Sequence, residues 1–457
     1  MNTVTINEKD NVCVDLATGH KIALCDIPAG SDIIKYGFPI GVATSDISKN
    51  EKVHTNNMKT KLSGVLSYEY EPEFTPLAPD DAFEIDAYVR EDGEIGIRND
   101  IWIVPTVGCV NSIAKQLSEE TGALCFSHPY GCSQLGGDMK TTQLVLRGLI
   151  KHPNAGGVLV LGLGCENNNI SEMKTVLDSW NEDRIKFLNV QDCENELAEG
   201  RKIIEALKET ASHDKREKVS ASRLKIGLKC GGSDGYSGIT ANSVAGKVTD
   251  RLCAMGASAV LTEVPEMFGA ETVLFKRCIN EEIFEKAVKL INNFKQYFRD
   301  HGEPVSENPS PGNKEGGITT LEEKSLGCVQ KGGNAPVVDV LDYGETVKKH
   351  GLSLLNGPGN DIVSITNLSA AGCHMVLFTT GRGTPLGGAV PTVKIASNNN
   401  IAEKKPHWID FNAYGFDKTQ LADNLLGLIR DVANGKQTKN EISNCREIAI
   451  FKDGVTL

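Results

Sequence analysis

Residues 101–122 read IWIVPTVGCVNSIAKQLSEETG, an apolar β-forming run that ends in glycine and passes into an amphipathic helical stretch closed by Gly122. The same unit returns downstream. GGVLVLGLG (156–164) leads into CENNNISEMKTVLDSW, and RLKIGLKCGG (223–232) precedes SVAGKVTDRLCAMG. SAVLTEV (258–264) precedes an amphipathic segment that runs through INNFKQYF. Continuous apolar strands alternating with helices predict an α/β body with a mainly parallel sheet covered on both faces. Ligands of such sheets bind at strand carboxyl ends, which is where the loops carrying Cys109, Cys165, Cys230 and Glu263 are expected.

Upstream of this body the texture differs. IALCDI (22–27), IKYGFPIGVATSDI (34–47) and KVHTNN (52–57) alternate β-formers with turn residues and predict a small β module. YEPEFTPLAPDDAFEID (70–86), with three prolines and many acids, suits a linker. A second proline- and glycine-rich stretch, HGEPVSENPSPGNKEGG (301–317), suggests another break. The expected division is therefore a β module over 1–72, an α/β catalytic domain over 86–305 and a C-terminal α/β lobe over 306–457.

Composition narrows the function classes. The chain has 457 residues, 40% hydrophobic and 24% charged, as in soluble globular proteins. Its formal net charge of −12, without a dense basic run, argues against a nucleic-acid partner. The amino terminus has no basic and apolar leader pattern, and no apolar run approaches a membrane span, so a cytoplasmic protein with no membrane partner is expected. Thirteen cysteines without a secretion signal are expected to be reduced thiols, some of them metal ligands. Self-association into a homo-oligomer is left open.

Five of these cysteines sit beside glycine: Cys109, Cys132, Cys165, Cys230 and Cys328. Each alone is also read as a small hydrophobe in a tight space, but several could converge on one ion or an iron–sulfur cluster. Histidines in polar, turn-like settings, His20, His54 and His128, are candidate ligands or proton carriers, with a solvated loop residue as the plain alternative. Lys21 and Glu166 join His20 and His128 as candidate acids and bases. Glycine-rich loops at 231–235, 312–320 and 379–385 let backbone N–H groups approach an anion, and Arg382 could grip a carboxylate through paired hydrogen bonds. Arg98, Asn99, Ser233 and Asp234 are further candidates to hold a substrate. None of these loops matches a nucleotide-phosphate motif.

The long motifs GIRNDIWIVPTVGCVN, YGCSQLGGD, HPNAGGVLVLGLGCENN, CGGSDGYSGITAN, LTEVPEMFGAE, NPSPGNKEGGITTLEEKSLGCVQK and GCHMVLFTTGRGTP resemble the altronate/galactarate dehydratase family over almost the whole chain. GHKIAL and IKYGFPIG resemble that family's β-clip module, called SAF. The resemblance implies a hydro-lyase that takes water from a small sugar acid to leave a 2-keto-3-deoxy acid. It also implies ferrous iron, or manganese, as cofactor. TEVPEMFGAE and Cys328 follow the branch acting on altronate, whose product is 2-keto-3-deoxygluconate; galactarate dehydratases tend to carry serine at the latter position. A galactarate or sulfolactate lyase of the same family, or a non-catalytic sugar-acid binder, are the alternatives. For that metal the candidate ligands are the residues singled out above by type and setting, His54 and the cysteines Cys109, Cys132, Cys165 and Cys230. It departs at Asn56, which stands where the module's usual His-x-His-Asn stretch has its second histidine.

Independently of that resemblance, removing a proton next to a carboxylate forms an enediolate that needs a cation or strong hydrogen bonds. A base for the proton and an acid for the departing hydroxyl complete the requirement.

Overall fold

A computed structural model describes residues 3–415 and 417–457. The first sixty residues form two small antiparallel sheets. One has the order Thr3–Val4, Val12–Asp15, Lys21–Ala23, Lys52–Val53, and the other Asp32–Lys35, Phe38–Ala43, Met58–Lys59. Alternation buries Val12, Val14, Ile33, Ile40 and Val53 between them. These side chains share one continuous core with the C-terminal unit, so the module is packed against the body. Residues 60–83 follow without regular structure, strapped to the body by Glu73 with Lys276 and Asp80 with Arg251.

Two parallel sheets carry the rest, as the repeated strand-and-glycine unit predicts. The smaller orders Leu124–Cys125, Asp100–Pro105, Ala155–Gly162 and Ile185–Asn189. Every residue of Ala155–Gly162 is buried, because helices cover both faces. The larger sheet has seven strands in the order Val337–Leu341, Gly351–Leu355, Ser258–Leu261, Lys225–Cys230, Met375–Thr380, Thr392–Ala396 and Phe411–Asn412. All its neighbours are parallel. A three-stranded antiparallel sheet orders Arg216–Ser220, Glu84–Val89 and Ile95–Gly96; its last two strands precede the smaller parallel sheet in the chain, and Arg216–Ser220 follows it.

The seven-stranded sheet takes strands from both sides of residues 301–317. The boundary expected at 305/306 therefore falls inside one unit, and the sheets divide instead between Asn189 and Lys225. A run rich in proline and glycine marks a loop, and here that loop belongs to the site. No helix among the described residues is long and apolar enough to cross a membrane.

Candidate active site

In chain order the strand Lys225–Cys230 comes first in the large sheet, and its spatial neighbours are the second and the fifth. The chain thus winds outward in two directions from this strand, and the crevice at such a reversal is where open α/β sheets bind ligands. Three glycine-rich loops meet there. Gly381 N donates to Gly232 O at 3.1 Å, Gly235 N to Gly316 O at 2.7 Å, and Asn313 Nδ2 to Ser233 O at 2.7 Å. Beneath them Asp234, 7% exposed, accepts Ser237 Oγ at 2.8 Å, Ser397 Oγ at 2.9 Å and Asn398 Nδ2 at 2.7 Å.

The SAF-like module inserts a loop into the same place. A side chain at Gly235 would put its Cβ 1.9 Å from Gly19 O, so only glycine admits the module's 18–20 turn. Next to that turn Lys21 is fully buried and gives its three N–H donors to Gly317 O, Thr319 Oγ1 and Glu323 Oε2 at 2.7–2.9 Å. Lys35 reaches the other oxygen of Glu323 at 2.8 Å. Burial pulls Lys21 down to about 8 against the attraction of Glu323. Burial would raise the Glu323 carboxyl, but Lys21 and Lys35 override it and hold it at about 2. His20 and His54 stand at the mouth, ring centroids 5.3 Å apart. His54 Nε2 meets Lys314 O at 2.9 Å and its Nδ1 meets Thr55 Oγ1, whereas the buried Nδ1 of His20 has no partner. Burial and then Lys52 lower the His20 pKa, which favours the neutral imidazole.

Deeper in, the helix Leu321–Cys328 is buried at every position although its sequence, LEEKSLGC, is that of a surface helix. Each charged group has a specific partner, as burial requires, whereas the buried Ser325 Oγ has none. Glu322 takes Thr60 Oγ1 and Lys61 N, Glu323 takes the module's two lysines, and Lys324 pairs with Glu266 at 2.8 Å. Cys328 Sγ lies 3.2 Å from Cys230 Sγ and 3.0 Å from Glu266 Oε2. Lys331 Nζ is 2.9 Å from Cys230 Sγ and 3.2 Å from Glu263, which also pairs with Lys229. Glu263 holds this position with a left-handed φ of 72°, a conformation costly for a non-glycine residue. Among the described residues, Cys230, Glu266 and Cys328 alone bring three ligand atoms within 4.8 Å of one another. The void bordered by Cys328, Asp234 and Lys324 has about 10 Å³, the room of one water molecule.

Three family models match in register with these units. They are the SAF domain of altronate/galactarate dehydratases over residues 5–61, the second domain of D-galactarate dehydratase/altronate hydrolase over 87–212, and the D-galactarate/altronate dehydratase C-terminal model over 221–456. The last alone spans half of the chain. The chain belongs to the altronate/galactarate dehydratase family. It is 52% identical to the altronate dehydratase of Bacillus subtilis (strain 168), covering 99% of this chain and 94% of that protein. It is 51% identical to the altronate dehydratase of Escherichia coli (strain K12), over 100% and 94%, and 31% identical to the galactarate dehydratase (L-threo-forming) of the same strain, over 92% and 86%.

Within this family frame the expected residues separate into groups. His20, His54, Ser233, Asp234 and Arg382 gather at the crevice, with Cys230 below them. Lys21 is there too, but all its donors are engaged, which makes it a pin between module and body. Asp234 clasps its loop, since both oxygens are occupied by side chains of this chain. Arg382 is exposed, 3.0 Å from Glu315 and 3.3 Å from Gly312 O, on the rim.

Four expectations are corrected. Arg98 is buried and spends its guanidinium on Glu441 at 2.8 and 2.9 Å and on the carbonyls of Ile97, Val432 and Lys436, leaving nothing for a substrate carboxylate. Asn99 is bound between Arg90 and Ala211 O. His128 is 2% exposed, with Nε2 on Pro105 O and Nδ1 accepting Tyr130 N, so neither nitrogen is free. Glu166, also buried, accepts Thr106 Oγ1 and the N–H groups of Leu163 and Gly164 and fixes a loop. Cys109, Cys132 and Cys165 lie in the second unit, on other loops than Cys230. Reading the sequence missed Glu266, Lys229, Lys324, Lys331 and Glu323 as site groups; the one available signal was the density of charge in EVPEMFGAE and TTLEEKSLGC.

Proposed function

We propose that this chain is an altronate dehydratase that converts D-altronate to 2-keto-3-deoxy-D-gluconate, in the breakdown of hexuronates in the cytosol. The observation that carries the reading is the identity of about half, end to end, with two altronate dehydratases, against 31% with the galactarate enzyme. Cys328, placed 3.2 Å from Cys230, adds a side chain to the buried cluster that fits this branch.

The residues present fit a ferrous ion. Two thiols and a carboxylate, Cys230, Cys328 and Glu266, are the donors that would hold it, a set softer than manganese prefers. When bound, the ion supplies a Lewis acid that stabilises charge developing on an oxygen. The chain's own groups do the rest. Arg382 on the rim offers a planar fork to the sugar-acid carboxylate. His20, neutral and with Nδ1 unengaged, takes the proton from the carbon beside that carboxylate. The β-hydroxyl then leaves as water with the proton that His20 took up, and the enol rearranges to the 2-keto acid.

Keto-acid release from altronate and from galactarate, measured with ferrous iron under reducing conditions, tests the reading. Faster release from altronate is expected. Equal or reversed rates overturn the substrate, and release from neither overturns the dehydratase reading.

A further inference from the structure

Thirteen cysteines are free, and only Cys25, Cys109, Cys132 and Cys165 are exposed. Three of those four stand at one edge of the second unit, on loops at the carboxyl ends of the adjacent parallel strands Asp100–Pro105, Leu124–Cys125 and Ala155–Gly162. Free cysteine is ordinarily a buried residue, so three exposed thiols on neighbouring loops call for a specific cause.

The loops are tied to one another close to each sulfur. Gly108 N donates to Tyr130 O at 2.9 Å, and Asn168 N donates to Gly131 O at 2.9 Å. Asn168 Nδ2 reaches Thr106 O at 3.1 Å. The buried Glu166 carboxylate accepts Thr106 Oγ1 at 2.7 Å, and Asn167 Oδ1 accepts Ser133 N at 2.9 Å and lies 3.3 Å from Cys132 Sγ. Gly131 has φ +103°, and a Cβ there would lie 2.0 Å from Thr106 O, so the cysteine that follows is set on a turn no other residue permits. Every one of the three cysteines is within three residues of a contact to another of the loops. Side-chain donors already face two of the sulfurs: Gln191 Nε2 lies 3.5 Å from Cys165 Sγ and Ser133 Oγ 3.9 Å from Cys132 Sγ.

Two features point to the ligand. Thiolates select soft metals and iron–sulfur clusters, and the loop donors beside them are the kind that tune such centres. These sulfurs are also more widely spaced than the Cys230, Glu266 and Cys328 donors, the only set among the described residues within 4.8 Å of one another. The three thiols therefore do not form the closed donor set of a single ion, and a polynuclear centre is the soft centre that cysteines on separate loops share. Cys125, in the edge strand Leu124–Cys125, packs against the core and meets Ser127 Oγ at 3.3 Å, so it supplies no fourth exposed thiol. We infer that Cys109, Cys132 and Cys165 bind a [4Fe–4S] cluster, each thiol losing its proton on ligation, and that the fourth iron is left to an oxygen ligand of a small molecule. The inference rests on these thiols and not on the substrate assignment.

The test is anaerobic reconstitution of the full chain with ferric iron, sulfide and dithiothreitol. About four irons and four acid-labile sulfides per chain are expected, with broad visible charge-transfer absorption. Cys132→Ala and Cys165→Ala should each lose most of both, while Cys25→Ala and Cys328→Ser keep them. A maleimide footprint read by mass spectrometry needs no variant: Cys109, Cys132 and Cys165 should react in the apoprotein and be protected together after reconstitution. Iron bound without labile sulfide, a cluster that survives the loss of these thiols, or one lost in Cys328→Ser overturns the inference. Failure to turn over altronate leaves the iron and sulfide counts unchanged, so the two readings fail separately.

Discussion

His20 is the side chain on which the proposed chemistry turns, because it alone at the crevice keeps a buried ring nitrogen without a partner. His20→Gln is expected to lower kcat by about 10²–10⁴-fold, the usual worth of a positioned base, with little change in Tm. Burial lowers its pKa below 6.5, and the base form is the neutral one. The acid limb of kcat/KM should therefore lie below pH 6.5, with activity falling as pH drops through it; a limb above 6.5 would assign the proton to another group. Arg382→Lys keeps charge but loses the fork, and a loss of roughly 1.5–3 kcal/mol, about tenfold to a hundredfold in kcat/KM, is expected with Tm unchanged. Arg98 gives the opposite pattern. Arg98→Ala strands the buried Glu441 carboxylate, so stability should fall by about 3–5 kcal/mol while activity per folded molecule is retained. Arg98 was open to misreading because its partner lies 343 residues away in sequence, and a buried arginine before a strand looks the same whether it serves a ligand or a distant glutamate.

Elements built on local periodicity were legible, and those defined by long-range pairing were not. The strands Asp100–Pro105, Ala155–Gly162 and Lys225–Cys230 follow from apolar runs ending in glycine, since a strand buried on both faces has no polar side to show. The order of the seven-stranded sheet is set by tertiary packing across the chain, so the unity of residues 225–412 was hidden behind a loop that resembled a boundary. Helix Leu321–Cys328 was hidden for a different reason: its charges are those of a solvent-facing helix, and its burial is made tolerable by distant partners, Lys21 and Lys35 at Glu323, Thr60 at Glu322 and Glu266 at Lys324. Glu323→Gln removes the carboxylate that both ammonium groups share, and about 3–5 kcal/mol of stability is expected to go with it, read as a fall in denaturant midpoint. The same pairing sets a pH window. The Glu323 carboxyl is held at about 2, below its ordinary 4.5, so its contribution is present above pH 4.5 and is lost as pH falls from there through 2.

Across the whole molecule, the module and the body meet through buried charge and a shared core, not through the 60–83 connection alone. Limited proteolysis should cut first within residues 62–83, where the backbone is without regular structure and mostly exposed. The two fragments should still elute together on size exclusion. Separation after cleavage would show that the interface is too weak to hold the module in place.

The connection then has a part of its own, which is to set a local concentration. A tether of about twenty residues holds its ends at an effective concentration in the millimolar range, and cutting it makes the encounter bimolecular. Nicked protein should keep its activity when concentrated and lose it on dilution, with a midpoint that reports the affinity of the Lys21–Glu323–Lys35 joint. Two separate chains could assemble the same crevice on those terms.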